Sequence, residues 1–195
     1  MRPRLIVATG CKHKLDEIKS YLKDWDGEVC GKDVLGEVVE PEENEETLLG
    51  NARIKARALK EICEDLVLAD DTGLFVDALD GAPGVHSARY AGEGHDDEAN
   101  KQKLLRELEG VENRYAEFRS VLVLLLEDGT EKVFEGICPG TISTSEMGSN
   151  GFGYDPLFVP EQETRSFAQM SEEEKNAISH RGRALQKLSA FLSEA

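Results

Sequence analysis

The 195-residue sequence predicts an α/β or α+β sheet fold. Short apolar runs that are typical of buried strands alternate with stretches in which apolar residues recur at helical spacing. Two further apolar runs flank Glu127-Asp128-Gly129 and add a hairpin to this alternation. The sequence contains no internal repeats and no low-complexity linkers, so we expect a single domain over residues 1–195.

The N-terminal part predicts a strand, a glycine turn and a helix. Leu5–Ala8 is a short apolar run, and Thr9-Gly10 separates it from the helical pattern. A second strand is expected at Val34–Val39, before an acidic loop. The helical pattern is carried by three residues, namely Leu15, Ile18 and Leu22.

The next helix is predicted at Asn51–Leu66, because apolar residues lie on one face of that stretch. Leu66–Ala69 then reads as a buried strand that stops at the polar residues 70–73. The Gly-, Ala- and Pro-rich stretch Asp77–Gly94 is expected to be a loop, with a tight turn at residues 81–84.

The C-terminal half predicts a helix, a hairpin, a short strand and a long final helix. The final helix is expected to begin at Ser171, because Glu174 three residues later completes a capping box. The four predicted segments are Glu98–Leu108, the hairpin Glu117–Leu126 with Thr130–Ile137, Phe158-Val159, and Ser171–Leu192.

Composition excludes several classes of protein. The formal net charge is −16, which argues against binding long nucleic acid because that requires a basic surface. No stretch approaches the roughly 20 apolar residues of a membrane span, and the N-terminus lacks the long apolar region of a signal peptide. Neither the four cysteines nor the four histidines have zinc-ligand spacing, so a reduced, cytoplasmic protein whose metal ligands are carboxylates is expected.

Two segments in the N-terminal half are candidate binding sites. Thr9 through Lys14 joins a glycine, a helix N-terminus and a lysine, which suits a phosphate, although the P-loop pattern is absent. Asp70-Asp71-Thr72-Gly73 lies at the carboxyl end of a predicted strand, where ligands of open sheets bind. The alternatives are a polar turn that opens a surface helix and an Asp cap followed by a turn.

Two more candidate segments lie in the C-terminal half. Gly151 through Pro156 holds two aromatic residues in a glycine-rich loop, where base stacking is worth about 1–3 kcal/mol per base. His180-Arg181 could contact the carbonyl oxygen of a base and a phosphate. The alternatives are a structural turn with Phe152 in the core, and a solvated basic patch on a terminal helix.

In order and spacing, the four segments and three further stretches resemble the inosine triphosphate pyrophosphatase family, also called the XTP/dITP or deaminated-purine nucleoside triphosphate pyrophosphatases. The resemblance extends from Val7 to about Leu185. The matching stretches are Ala8-Thr9-Gly10 through Ile18, Asn51-Ala52-x-x-Lys55-Ala56, Ala69-Asp70-Asp71-Thr72-Gly73-Leu74, Asp77 through Val85, Ser87-Ala88-Arg89-Tyr90-Ala91-Gly92, Gly151-Phe152-Gly153-Tyr154-Asp155-Pro156 and Glu174 through Arg181.

The resemblance implies hydrolysis of ITP, dITP and XTP to the monophosphate and pyrophosphate, with Mg²⁺ (Mn²⁺ as an alternative) and as a homodimer. We expect a mixed twisted sheet flanked by helices, a small second lobe and an active-site cleft between them. Asp71 takes the catalytic position, and Asp71 with Glu40 the metal positions, with Glu42 and Glu43 as open alternatives to Glu40. The implied substrate-binding residues are Thr9, Gly10, Cys11, Lys12, His13, Lys14, Lys55, Thr72, Phe152, Gly153, Tyr154, Asp155, Lys175, His180 and Arg181.

Two departures from the family pattern leave other functions open. Cys11 stands where the family usually has Asn, and Gly50 where many members have Glu. If these changes impair catalysis, the protein is a non-catalytic nucleotide-binding module. A third hypothesis is a pyrophosphatase of the Maf type, acting on modified pyrimidines, although that family would not be expected to carry the Ser179-His180-Arg181 ending.

Overall fold

The structure is a computed structural model that describes residues 2–194. Within that range a seven-stranded sheet is accompanied by five α-helices and four short 3-10 turns. The helices are α1 (Lys12–Tyr21), α2 (Leu48–Lys60), α3 (Asp97–Glu107), α4 (Glu172–Ile178) and α5 (His180–Glu194). The strands are β1 (Arg4–Val7), β2 (Glu28–Gly31), β3 (Leu66–Val76), β4 (Pro83–Gly84), β5 (Tyr115–Leu125), β6 (Glu131–Ile142) and β7 (Phe158–Pro160).

The sheet is mixed, in the order β2-β1-β3-β5-β6-β7, with β4 paired to β3. β1 is parallel to both β2 and β3, with Val7 opposite Gly31 and Leu68. β4 is antiparallel to β3, and β7 is antiparallel to β6. The α/β fold class predicted from the sequence is therefore confirmed.

The chain forms two compact units, and the boundaries between them fall within β3, β5 and β6 and at the start of α5. The first unit comprises Met1–Asp71, Ser120–Gly136 and Arg181–Ala195, and the second comprises Thr72–Arg119 and Ile137–His180. The second unit is larger than the small lobe expected from the sequence. A single domain over residues 1–195 stays a prediction.

The first unit is built around β1, whose alternating side chains enter two different cores. Leu5 and Val7 belong to a cluster with residues of α1 and α5, such as Ile18 and Leu188. Ile6 belongs to the other cluster, with residues of α2. Successive strand residues point to opposite faces, so helices cover both faces of this part of the sheet.

The second unit has its own apolar core. Leu74 and Val76 of β3 pack in one cluster with Leu104 of α3 and with the aromatic rings of Phe158 and Phe167. The rings of Phe158 and Phe167 lie 5.1 Å apart between centroids. This core supports the loop that follows Gly148, because Tyr154 and Leu157 of that loop belong to it.

The predicted strand at Val34–Val39 is wrong. The strand of this region is β2, Glu28–Gly31, and residues Lys32–Leu35 form a 3-10 turn. Gly36 then adopts φ 89°, which ends the turn, and Val39 is 86% exposed. The four-residue edge strand has only two buried positions and therefore gives a weak hydrophobic pattern.

Helix α2 begins and ends earlier than the predicted Asn51–Leu66. Thr47 is its N-cap, and the Thr47 hydroxyl accepts a hydrogen bond from the Gly50 N–H at 3.0 Å. The helix ends at Lys60, whose ammonium donates to the backbone oxygens of Glu64 and Asp65. Ile62, within the predicted range, lies beyond the helix and is 56% exposed.

Strand β3 does not stop at Asp70, as the sequence suggested, but continues to Val76. Asp70 and Asp71 are both buried within it. The polar residues Asp70 through Gly73 look like a turn in the sequence, whereas in the fold buried cations compensate the two carboxylates. Tertiary contacts have therefore overridden local propensity.

The predicted final helix, Ser171–Leu192, is two helices. Its N-terminus is confirmed, because Ser171 and Glu174 form the capping box at the start of α4. Ser179 then adopts an extended conformation (φ −70°, ψ 160°) and separates α4 from α5. The hairpin turn closed by Leu126 and Thr130 is confirmed, as are the other predicted helices and strands with boundary shifts of a few residues. The predicted loop Asp77–Gly94, however, contains the strand β4 and two 3-10 turns.

Within residues 2–194 no helix has the length and apolar character needed to span a bilayer.

Candidate functional site

The candidate catalytic residues of the first unit lie at one edge of its parallel strands. The segment Thr9–Lys14 follows β1, and Asp70 and Asp71 lie in the neighbouring β3, beyond the Val7–Leu68 pairing. Parallel strands place their carboxyl ends at the same edge, which is where open sheets bind ligands. The fold thus brings the first two predicted segments together.

Asp71 is a buried carboxylate with one oxygen engaged. The ammonium of Lys55 donates to Asp71 Oδ1 at 3.0 Å and to the backbone oxygen of Asp70 at 2.8 Å. Asp71 Oδ2 is buried and has no hydrogen-bond partner among residues 2–194. A buried carboxylate oxygen of this kind is a place for a ligand, water or cation.

A second carboxylate lies at the same lysine. Glu43 Oε2 is 3.3 Å from Lys55 Nζ, so Lys55 bridges Glu43 and Asp71. Burial raises the pKa of Asp71, and the positive charges of Lys55 and Lys14 only partly oppose that effect. Burial works against the charge of Lys55, but Asp71 and Glu43 outweigh it and raise the pKa of Lys55.

Asp70 has a different environment from its neighbour. It is 1% exposed, and its carboxylate accepts from Arg181 Nε at 2.9 Å, lies 2.7 Å from Lys14 Nζ, and accepts from the hydroxyl of Ser120 at 3.0 Å. Burial alone would raise the pKa of Asp70, but Arg181 and Lys14 hold it well below its usual range. Two adjacent residues of β3 therefore differ. The Asp70 carboxylate is fixed by buried cations, whereas the Asp71 carboxylate keeps one oxygen available for a ligand.

In the predicted phosphate segment, Thr9, Cys11 and Lys14 are half-buried. Gly10, Lys12 and His13 are exposed, and the Cys11 N–H donates to the Thr9 hydroxyl at 3.1 Å. A β-carbon on Gly10 would lie 3.3 Å from Glu40 Oε1, so glycine leaves room beside the loop. Cys11 occupies the N-cap position of α1 without a side-chain capping bond.

The predicted metal ligand Glu40 pairs with Lys32, and its side chain is 63% exposed. Within residues 2–194 no group of three or more His, Cys, Asp or Glu side chains is arranged to hold a metal ion. Mg²⁺ is usually held by one or two carboxylates together with water and substrate phosphates. The available oxygen of Asp71, with Glu43 at the same lysine, fits that smaller donor set.

The side chain of Glu45 lies beside Gly50. A β-carbon on Gly50 would lie 2.7 Å from the Glu45 β-carbon, and the Glu45 backbone is held by both the oxygen and the nitrogen of the Asn51 amide. The Glu45 side chain therefore occupies the position into which a side chain at residue 50 would project.

In the second unit, Lys175 and Asp155 form a buried ion pair. Lys175 Nζ donates to Asp155 Oδ2 at 2.7 Å, and both side chains are 5% exposed. The same carboxylate oxygen accepts from the Phe152 N–H at 3.0 Å, and the Lys175 ammonium lies 4.8 Å from the Phe152 ring centroid. The predicted base-binding loop is thus fixed by a charge pair and a cation–π contact.

Tyr154 and His180 are also buried in the second unit. The Tyr154 hydroxyl donates to the Ser87 backbone oxygen at 2.7 Å, and burial raises the pKa of Tyr154. The His180 ring is stacked on Phe118 with 4.5 Å between centroids. The prediction that residues 175–181 could be a solvated basic patch is wrong, because Lys175, His180 and Arg181 are each at most 4% exposed.

A sequence profile of the Ham1 family matches residues 5–191. The chain belongs to the Ham1 family. It is 46% identical over 191 residues to a protein of Thermoanaerobacter sp. (strain X514) named dITP/XTP pyrophosphatase, covering 97% of this chain and 96% of that one. It is 48% identical to the Porphyromonas gingivalis protein of the same name, covering 97% of each chain.

Solved structures of Ham1 proteins have the same fold. The Ham1 protein of Coxiella burnetii superposes with a TM-score of 0.90 at 38% identity, covering 99% of this chain and all of that one. The Staphylococcus aureus Ham1 protein gives 0.88 at 39% identity, covering 98% of each chain.

In this Ham1 family chain, sequence reasoning missed three side chains at the candidate site, namely Glu17, Lys32 and Ser120. Glu17 Oε2 accepts from Arg181 Nη1 at 2.5 Å. Lys32 was missed because the predicted strand at Val34–Val39 displaced the true end of β2. An acid on the buried face of an otherwise amphipathic helix, as Glu17 is on α1, was an available signal.

Replacing Tyr154 by Phe should destabilise the Ham1 family chain by about 1–3 kcal/mol, because the change removes the donor to the buried Ser87 carbonyl. Urea unfolding would measure the change. Tyr21→Phe in α1 is the matched control and should stay within about 0.5 kcal/mol. An equal loss in both variants would contradict the assigned hydrogen bond.

Proposed function

We propose that this protein hydrolyses dITP, XTP and ITP to the nucleoside monophosphate and pyrophosphate, and so removes deaminated purines from the nucleotide pool. The observation that carries the proposal is the pair of adjacent β3 carboxylates, of which Asp71 has a buried oxygen with no partner among residues 2–194. The names of the Ham1 relatives, dITP/XTP pyrophosphatase, support the choice of substrates.

Water attack on the α-phosphorus needs a base and positive charge on the phosphoryl oxygens. We assign Asp71 to orient and deprotonate the water, because its buried Oδ2 has no hydrogen-bond partner among residues 2–194 and is therefore open to a water molecule. Lys14 and Lys55, both largely buried at the same edge, supply positive charge for the phosphates. Thr9–Lys14 and Thr72 stay predicted phosphate contacts.

Mg²⁺, with Mn²⁺ as the alternative, is the proposed cofactor, and it would neutralise charge on the triphosphate. Asp71 is its first proposed ligand. For the second we keep Glu40 and Glu43, and the shared lysine favours Glu43 over Glu40. Carboxylate ligands suit Mg²⁺, whereas zinc would prefer histidine and cysteine.

We assign selectivity for the deaminated base to Phe152 through Asp155, Lys175 and His180 of the second unit, together with Arg181. A deaminated purine presents a 6-keto acceptor, whereas adenine presents an amino donor at that position. A site with donors aimed at the keto oxygen would leave them unpaired with adenine, which is costly.

We further propose a cytoplasmic homodimer. The cytoplasmic assignment is supported by the four cysteines, all of which are free thiols. The dimer is supported by resemblance to the family alone.

Purified protein with Mg²⁺ should release pyrophosphate from dITP, XTP and ITP at least tenfold faster than from ATP, in a panel that also includes modified pyrimidine triphosphates. Release of orthophosphate, or equal rates with ATP, would contradict the proposal. Tight ITP binding without turnover would favour the non-catalytic module, and preference for modified pyrimidines the Maf type. The Asp71→Asn protein is the control for contaminating hydrolases.

A further inference from the structure

Lys32 lies at the same sheet edge as the candidate phosphate segment. It follows β2 directly, and β2 is the parallel neighbour of β1, with Gly31 opposite Val7. Lys32 and the Thr9–Gly10 turn therefore leave adjacent strands at the same edge. A β-carbon on Gly10 would lie 3.9 Å from Lys32 Nζ, so the ammonium is beside the glycine of that turn.

Lys32 is more buried than a surface lysine usually is, and burial of its charge costs free energy. Its side chain is only 16% exposed, and it pairs with Glu40, whose side chain is 63% exposed. Lys55, at the same sheet edge, is also largely buried, with 11% of its side chain exposed. Two largely buried cations at one edge form an arrangement that a strongly anionic ligand would stabilise.

We propose that Lys32 is a third phosphate-binding cation, which binds phosphoryl oxygens of the triphosphate after exchanging Glu40 for the ligand. This inference rests on the proposed function, because it names a further residue of the same site. An exposed carboxylate is displaced at low cost, since Glu40 regains hydration when it leaves Lys32. A polyphosphate carries several charges, and the proposal adds Lys32 to Lys14 and Lys55 as a cation that binds it.

Titration calorimetry with inorganic tripolyphosphate in metal-free buffer tests the inference without hydrolysis and without a base. Lys32→Gln should weaken binding about tenfold or more, and Lys32→Arg should keep affinity within about threefold. Glu40→Gln should strengthen binding, because it removes the internal anion that competes for Lys32. Lys23→Gln, at an exposed lysine, is the matched control and should change affinity less than twofold.

If Lys32→Gln leaves tripolyphosphate affinity within twofold, or if Lys32→Gln and Glu40→Gln weaken it equally, Lys32 serves only as the partner of Glu40 and the inference is wrong. Absence of tripolyphosphate binding to the unaltered protein also overturns it. Thermal unfolding of each variant separates lost binding from lost folding. If the panel of nucleoside triphosphates shows no preference for deaminated purines, the proposed function alone is overturned. If the protein hydrolyses ITP but Lys32→Gln binds tripolyphosphate as the unaltered protein does, only this inference is overturned.

Discussion

Replacing Asp71 by Asn is expected to lower the rate of pyrophosphate release from dITP by about 10²–10⁴-fold, the range typical of a lost general base. Asparagine matches aspartate in size, but it cannot accept a proton from water at neutral pH. Steady-state pyrophosphate release at saturating dITP and Mg²⁺ measures the effect. The fold should survive, because Lys55 keeps its hydrogen bond to the Asp70 backbone and its ion pair with Glu43.

The matched control is Asp24→Asn, at an exposed aspartate of the first unit, which should retain full activity. The free energy of unfolding of Asp71→Asn should stay within about 1 kcal/mol of the unaltered protein, since a buried charge is removed along with one ion pair. Turnover by Asp71→Asn within tenfold of the unaltered protein would remove Asp71 from the mechanism.

Replacing Arg181 by Ala is expected to destabilise the first unit by about 3–5 kcal/mol, the cost of leaving buried charges without their partner. Arg181 is 1% exposed and donates to both Asp70 and Glu17, which are themselves buried. Lys14 would remain as a partner of Asp70, but the Arg181 partner of Glu17 would be lost. Denaturant unfolding measured by circular dichroism reports the change.

Arg106→Ala, at an exposed arginine of α3, is the control and should cost less than about 0.5 kcal/mol. Arg181→Lys should give an intermediate loss, because it keeps the charge but cannot reach both carboxylates with a planar fork. A loss below about 1 kcal/mol in Arg181→Ala would contradict a structural role and would leave Arg181 solely as the predicted base contact.

Local sequence signals predicted the fold class well where the pattern was strong. The structure confirms β1, α3, the β5–β6 hairpin and the capping box at Ser171. These elements were predictable because each has its own hydrophobic periodicity or capping residue. The prediction was wrong at β2, at the end of β3 and at Ser179. A short edge strand, buried charges and a single extended residue, respectively, produce no clear pattern in the local sequence.

The sequence by itself determined the family and drew attention to Asp71, because the order and spacing of short motifs survive without any knowledge of packing. Only the tertiary structure decided how the two adjacent aspartates differ. Asp70 contacts Arg181, which is 111 residues away in the sequence, and Ser120, which is 50 residues away. Asp71 keeps one oxygen without a partner in the described part of the chain. Electrostatic environment depends on distances in space, and sequence separation does not report those distances.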